Sequence, residues 1–190
     1  SSLVSALARE IKPDLETFVV GTPNSQDLAI SAQVSEFLGT RHHTYRYSFT
    51  EMLEVLPEVI YHLESFDAPL IRSAIPNYFL SKLASDHVKV ILTGEGADEL
   101  YAGYDYLAPL QDAEQLQSEL KIITENLHNT NLQRADRMSM AHGLEARVPF
   151  LDKNFVDYSL ALPPAWKFRR NGNEEKALLR NAFDGIVPDN

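Results

Sequence analysis

Val88-Lys89-Val90-Ile91-Leu92 runs without a break into Thr93-Gly94-Glu95-Gly96-Ala97-Asp98-Glu99-Leu100. The first five residues are the strongest strand signal in the chain, and the abrupt change to Gly and acid residues marks a turn at its carboxyl end. Two more strands are expected upstream, at Thr17-Phe18-Val19-Val20 before Gly21 and at His43 to Phe49. Each is separated from the next by a helical pattern. One helix carries Leu3, Leu7 and Ile11 as a buried stripe; the next is capped by Asn24 or Ser25 and stopped by Gly39. A third opens at Thr50 with Leu53, Leu56, Ile60 and Leu63, and Pro76 suits the first turn of a fourth. Helices alternating with strands indicate an α/β fold with a parallel sheet covered on both faces. Such sheets bind ligands at the carboxyl ends of their strands, here Val20-Gly21 and Thr93 to Glu99. Beyond Pro109 no convincing strand is expected: Leu116, Leu120, Ile123 and Leu127 mark an amphipathic helix, with others near 131–142, 152–161 and 173–183.

The chain has 190 residues, Lys+Arg 17 against Asp+Glu 27, and a formal net charge of −10. That field repels polyanions and argues against nucleic acid or an anionic membrane as a partner. A hydrophobic content of 44% with 23% charged residues excludes disordered and collagenous classes. With Cys 0 there is no disulfide, thiolate metal site or thiol nucleophile. The apolar runs are far shorter than the ~20 residues of a membrane helix, and no secretory leader is apparent.

Glu95, Asp98 and Glu99 fall within five residues beside Gly94 and Gly96. Carboxylates there suit Mg²⁺, and glycines let backbone N–H groups approach an anion. An acidic helix start with glycines in a tight turn fits the same residues. A second cluster joins Arg134-Ala135-Asp136-Arg137 to Glu145-Ala146-Arg147, where Arg–carboxylate pairs tie a helix to the loop after it. Arg72 stands alone among apolar neighbours, as a surface or snorkelling arginine would. His42 and His43 point to opposite sides if they lie on a strand, which speaks against a metal shared between them. Tyr101, Tyr104 and Tyr106 fit core or pocket lining equally.

Thr93 to Tyr104 and Met138 to Asp152, with Phe18 to Gly21, Leu38 to His43 and Ile71 to Pro76 in matching order, resemble the synthetase domain of the glutamine-hydrolysing asparagine synthetase family over nearly all of the chain. The resemblance implies an ATP-pyrophosphatase type (adenine nucleotide alpha hydrolase-like) domain with a C-terminal helical extension. Residues 1–104 would be its nucleotide-binding core and residues 105–190 its helical part. It implies ATP and Mg²⁺, with aspartate adenylated on its side-chain carboxylate and ammonia displacing AMP. By the same likeness Ser1, Ser2, Val20, Thr93 and Gly94 would contact the nucleotide, Glu95 would support adenylate formation and Asp98 would bind Mg²⁺. Arg72 would serve the acyl or pyrophosphate step; Arg134, Glu145 and Arg147 would organise the aspartate pocket. A cytoplasmic enzyme and a homodimer are implied as well.

Ser1-Ser2 matches only the end of the family's Ser-Gly-Gly-x-Asp-Ser-Ser loop, so the first strand and most of the pyrophosphate loop are expected to be missing. The lysine that the family brings to the adenylate is expected beyond Asp189-Asn190, and the ammonia-supplying glutaminase domain is expected elsewhere. The 190 residues alone are therefore expected to be inactive. A related amide-forming or β-lactam synthetase, and a non-catalytic nucleotide- or partner-binding homologue, are the alternatives.

Overall fold

The computed structural model describes residues 1–169 and 174–188. In chain order these form α1 (Ser2–Ile11), β1 (Glu16–Gly21), α2 (Gln26–Leu38), β2 (Arg41–Arg46), α3 (Phe49–Leu63), α4 (Ala68–Ser85), β3 (Val90–Leu92), α5 (Ala97–Leu100), α6 (Ala113–Glu125), α7 (Asn131–Met140), β4 (Glu145–Arg147), α8 (Lys153–Ala161) and α9 (Ala177–Ala182). The α/β class and the parallel direction of the strands agree with the sequence. The single sheet does not. β1 pairs with β2, and β3 pairs with β4, as two separate two-stranded parallel sheets among the described residues.

β4 corrects the expectation that no strand follows Pro109. Its middle residue, Ala146, lies opposite Ile91, and the Thr93 N–H donates to the Arg147 carbonyl at 2.9 Å, extending the ladder toward the glycine-rich turn. A three-residue strand with charged ends shows almost no apolar alternation, so nothing in its own composition marks it. β2 likewise ends earlier than the aromatic run suggests. Ser48 Oγ accepts from the Glu51 N–H while the Glu51 carboxylate accepts from the Ser48 N–H at 2.8 Å. This capping box satisfies donors at the start of α3, and Phe49 becomes helical.

Pro76 also differs from expectation: it lies inside α4, whose first turn carries Pro69 and whose N-cap is Asp67, accepting from the Leu70 N–H at 2.8 Å. A proline cannot return a hydrogen bond to the carbonyl four residues back, that of Arg72, so the ladder is interrupted in mid-helix. α4 persists because its flanks are buried. Ala74, Ile75 and Phe79 pack with Leu63 of α3, Tyr47 and Met138 of α7 in the largest apolar cluster. Completely burying a side chain such as Leu63 contributes about 1.5–3 kcal/mol. A second cluster joins Val4, Leu100, Tyr101 and Phe150, and a third joins Leu107, Leu116 and Leu120.

Between β1 and β3 runs an apolar groove of about 610 Å³, bounded by Phe18 on one side and Val90 and Leu92 on the other. Leu80 and Ala84 of α4 and Leu7 and Ile11 of α1 complete its walls. Hence the α1 stripe, expected to be buried, is covered only at its start: Leu3 packs against the second cluster, whereas Leu7 and Ile11, 40% and 87% exposed, line this groove. Val90 and Leu92 stand open for the same reason. The expected helix at 173–183 is seen as Ala177–Ala182; residue 173, like Asp189 and Asn190, lies outside the described residues. Among the described residues no helix is long and apolar enough to cross a membrane.

Candidate functional site

β3 ends at Leu92, and the turn Thr93 to Gly96 carries the chain into α5 at the mouth of a cavity of about 430 Å³. Two glycines shape that turn. Gly96 has φ +96°, in the region that side chains disfavour, and a Cβ on Gly94 would come within 2.5 Å of the Ser1 nitrogen. Gly94 thus serves close packing of two chain segments. The Glu95 N–H donates to Thr93 Oγ1 at 3.2 Å, a local turn bond that leaves the Glu95 side chain free to point inward.

Inside the cavity Glu95 meets Arg134 of α7, Nη2 to Oε1 2.8 Å, with both side chains largely buried. Burial raises the Glu95 carboxyl above its ordinary value, and the Arg134 guanidinium only partly offsets that. Arg134 Nε is buried and has no hydrogen-bond partner among the described residues. Asp98, on the same wall, pairs with Lys176 at 2.6 Å. Glu99, one residue on, is buried and accepts from the Tyr104 hydroxyl and from Asn131 Nδ2, the latter at 2.8 Å. Burial, with the Glu99 carboxylate beside it, holds the Tyr104 hydroxyl protonated far above its usual range.

The structure brings Ser1, Thr93, Gly94, Glu95, Asp98 and Arg134 to one cavity. It does not bring all of the sequence candidates there. Ser2 opens α1 and does not line the cavity. Val20 sits in β1, packed against the largest apolar cluster. Arg72 is exposed on α4 and does not line the cavity, which that helix meets through Asn77, Leu80 and Ser81, roughly one and a half to two and a half turns further on. Glu145 and Arg147 pair with each other at 2.7 Å on the outer side of β4, because strand alternation turns Ala146 inward instead.

Sequence reasoning missed Lys176, Asn131 and Asn77, all of which line the cavity. Lys176 brings to the cavity a cation that the sequence does not announce. Lys176 adopts φ +53° at the start of α9, and nothing local in Glu174-Glu175-Lys176 signals a partner so distant in sequence. Tyr104 lines the cavity, whereas Tyr101 is core and Tyr106 is exposed.

As a donor set, the cavity offers two carboxylates, Glu95 and Asp98, and two cations, Arg134 and Lys176. Mg²⁺ takes oxygen ligands and commonly uses one or two carboxylates together with phosphate oxygens, so these residues fit a magnesium–polyphosphate group. The unpartnered Arg134 Nε supplies a further donor for an anionic ligand.

The family model described as asparagine synthase matches residues 1–121 and 108–190. The probable asparagine synthetase (glutamine-hydrolyzing) of Schizosaccharomyces pombe is 44% identical over 173 residues, covering 90% of this chain and 31% of the relative. Asparagine synthetase B (glutamine-hydrolyzing) of Escherichia coli is 39% identical over 177 residues, covering 93% of this chain and 32% of the relative. Asparagine synthetase (glutamine-hydrolyzing) 2 of Arabidopsis thaliana is 38% identical over 183 residues, with 95% and 32% covered. The chain spans just under a third of the length of these curated relatives.

Proposed function

The chain belongs to the asparagine synthase family, and from that premise we propose that its cavity is the aspartate-activating site of an ATP-dependent, AMP-forming carbon–nitrogen ligase. In this reading the side-chain carboxylate of aspartate attacks the α-phosphorus of ATP, forming aspartyl-AMP and releasing pyrophosphate. Ammonia then adds to the acyl carbon and AMP leaves, giving asparagine. A free carboxylate is anionic and lacks a leaving group; joining it to AMP removes both obstacles. The protein's task is therefore charge neutralisation and positioning, with no need for a nucleophilic triad.

The observation that carries the proposal is the pairing, in one cavity, of Glu95 with Arg134 and of Asp98 with Lys176 beside Thr93-Gly94. Arg134 and Lys176 neutralise phosphate charge, Thr93 and Gly94 offer backbone groups to the adenosine part, and Glu95 orients the reacting carboxylate through Arg134. Bound Mg²⁺ would spread the charge of the polyphosphate, held by Asp98. Ser1 lies at the phosphate end, with Ser2 behind it. Val20, Arg72, Glu145 and Arg147 keep their proposed substrate roles only as residues that would face ligand from outside this cavity. We place the reaction in the cytoplasm, and assign ammonia supply to a glutaminase unit and homodimerisation to the longer protein.

The finer fold reading is an ATP-pyrophosphatase type sheet, with residues 1–104 as its nucleotide core and 105–190 as its helical part. The groove between β1 and β3 supports it: its apolar walls and two flanking strand edges suit one further parallel strand that would join the two sheets.

The test is aspartate-dependent exchange of labelled pyrophosphate into ATP, in a polypeptide of the relatives' full length that carries this chain. Exchange is expected, and Glu95→Ala is expected to abolish it. Exchange that is absent from the parent, or unchanged in the variant, overturns the assignment. Residues 1–190 alone are expected to show little exchange.

A further inference from the structure

At the opposite end of the strands from the cavity, Glu16, His43 and His87 converge. Among the described residues this is the one group of three such side chains with a ligand atom from each within 4.8 Å of the others. We propose that these residues form a binding site for a zinc-type divalent cation, which fastens the turn between α4 and β3 onto the β1–β2 sheet.

The placement follows from register and alternation. Glu16 lies opposite Arg41 and Phe18 opposite His43 in a parallel pair, so Glu16, Phe18 and His43 share one sheet face. Glu16 Oε2 lies 2.5 Å from His43 Nε2. His87 arrives from the other side, in the turn that closes α4, where its N–H donates to the Ala84 carbonyl at 3.0 Å. Its ring stands 3.9 Å from that of His43, centroid to centroid, and the His43 ring stacks in turn on Phe18 at 5.1 Å. Phe18 therefore backs the cluster and limits how far the His43 ring can turn.

Two imidazoles and a carboxylate are a borderline donor set, suited to zinc and its neighbours among the divalent ions and poorly suited to Mg²⁺ or Ca²⁺. Tetrahedral zinc with bonds of about 2.0–2.2 Å sets its ligand atoms about 3.4 Å apart, so the ion would replace the Glu16–His43 hydrogen bond and open that contact from 2.5 Å. His87 is exposed, so rotation of its ring can close the gap. Three protein ligands leave the fourth position to water. The Arg41 guanidinium, 3.7 Å from Glu16 Oε1, competes for the carboxylate and sets the affinity below that of a closed structural site. The bound ion would link two parts of the fold that share no strand pairing: β1–β2 on one side and the entry to β3 on the other.

The test is calorimetric titration of the untagged, chelator-treated chain with ZnCl₂, paired with thermal melts. One ion per chain with micromolar Kd is expected, together with a zinc-dependent rise in Tm. His87→Ala removes an exposed ring, and should weaken binding at least tenfold and abolish the rise in Tm while leaving the circular dichroism spectrum unchanged. Glu16→Gln should weaken binding similarly. His62→Ala, which removes a histidine paired with Glu58 on α3, should change neither. The proposal is overturned if the parent chain does not bind zinc, if MgCl₂ competes equally, if zinc binding is unchanged in His87→Ala, or if it is lost in His62→Ala.

Discussion

Two arginine–glutamate pairs lie on opposite sides of the β3–β4 sheet, with nearly the same separation: 2.8 Å for Arg134–Glu95 and 2.7 Å for Arg147–Glu145. Their surroundings differ completely. The first is buried in the cavity, with side chains 15% and 19% exposed; the second stands in solvent, at 61% and 58%. Distance therefore says little about what either pair does. In water an ion pair gains little and loses side-chain entropy, whereas an unpaired charge in a cavity keeps its desolvation cost. Strand alternation makes the sorting: Ala146 faces inward and its charged neighbours face outward.

The sharpest way to break this contrast is Arg134→Ala, which leaves Glu95 buried without its cation. A loss of about 3 kcal/mol in urea-unfolding stability is expected, at the low end for breaking a buried pair because Glu95 can take up a proton. Aspartate-dependent exchange in the longer protein should fall below detection. A cost under about 0.5 kcal/mol would erase the distinction between the two regions.

Lys176→Ala probes a pair of intermediate exposure, 25% for Lys176 and 38% for Asp98. Screening limits its stability cost to about 1 kcal/mol, yet exchange should drop at least tenfold, since the proposed site would lose a cation for phosphate. Equal losses of stability and activity would assign Lys176 a structural part only.

The contrast also has a pH signature, because environment moves carboxylates in both directions. Glu95 is raised above 4.5 in the folded state, chiefly by burial, so its contribution is fully present below 4.5 and is lost as pH rises through its folded value. Glu51 is lowered to about 2, first by the Tyr45 hydroxyl and then by Ser48, so its contribution is present above 4.5 and is lost as pH falls toward 2. Stability curves of Glu95→Gln and Glu51→Gln, each subtracted from the parent, should slope in opposite directions. Slopes of the same sign would contradict the assigned environments. The smallest effect is expected for Arg147→Ala, within about 0.5 kcal/mol by urea unfolding, with the melt unchanged.

β3 and the turn Thr93 to Glu99 were readable because local composition and tertiary role agree there: an apolar run, then glycines and acids at its carboxyl end. β4 was not, because its pairing with β3 is tertiary and only Ala146 faces the interior. The capping box at Ser48 and Glu51 was present in the sequence, but the aromatic and β-branched run before it suggested a longer strand. The same division holds in the cavity. Glu95 and Asp98 announce themselves beside the glycines, whereas Lys176 and Asn131 enter from distant helices whose local sequences show only helix starts. The opposite case is Glu145 and Arg147, where the residue types occur in a readable cluster and the alternation of one short strand points them away from this cavity.

The two sheets also differ in the length of chain that must close before they can form. Val90 pairs with Glu145, more than twice as far along the sequence as Glu16 is from Arg41. Loop closure is unfavourable before the contacts it permits are made, so β1–β2 should assemble early and β3–β4 late during folding. The Thr93 amide bonds to Arg147 across that second sheet, which makes the glycine-rich turn one of the last parts of the molecule to acquire its shape. Pulse-labelling hydrogen exchange would register this as protection of Val19 before Thr93. A chain released from the ribosome would then hold its first sheet well before it could bind anything at the second.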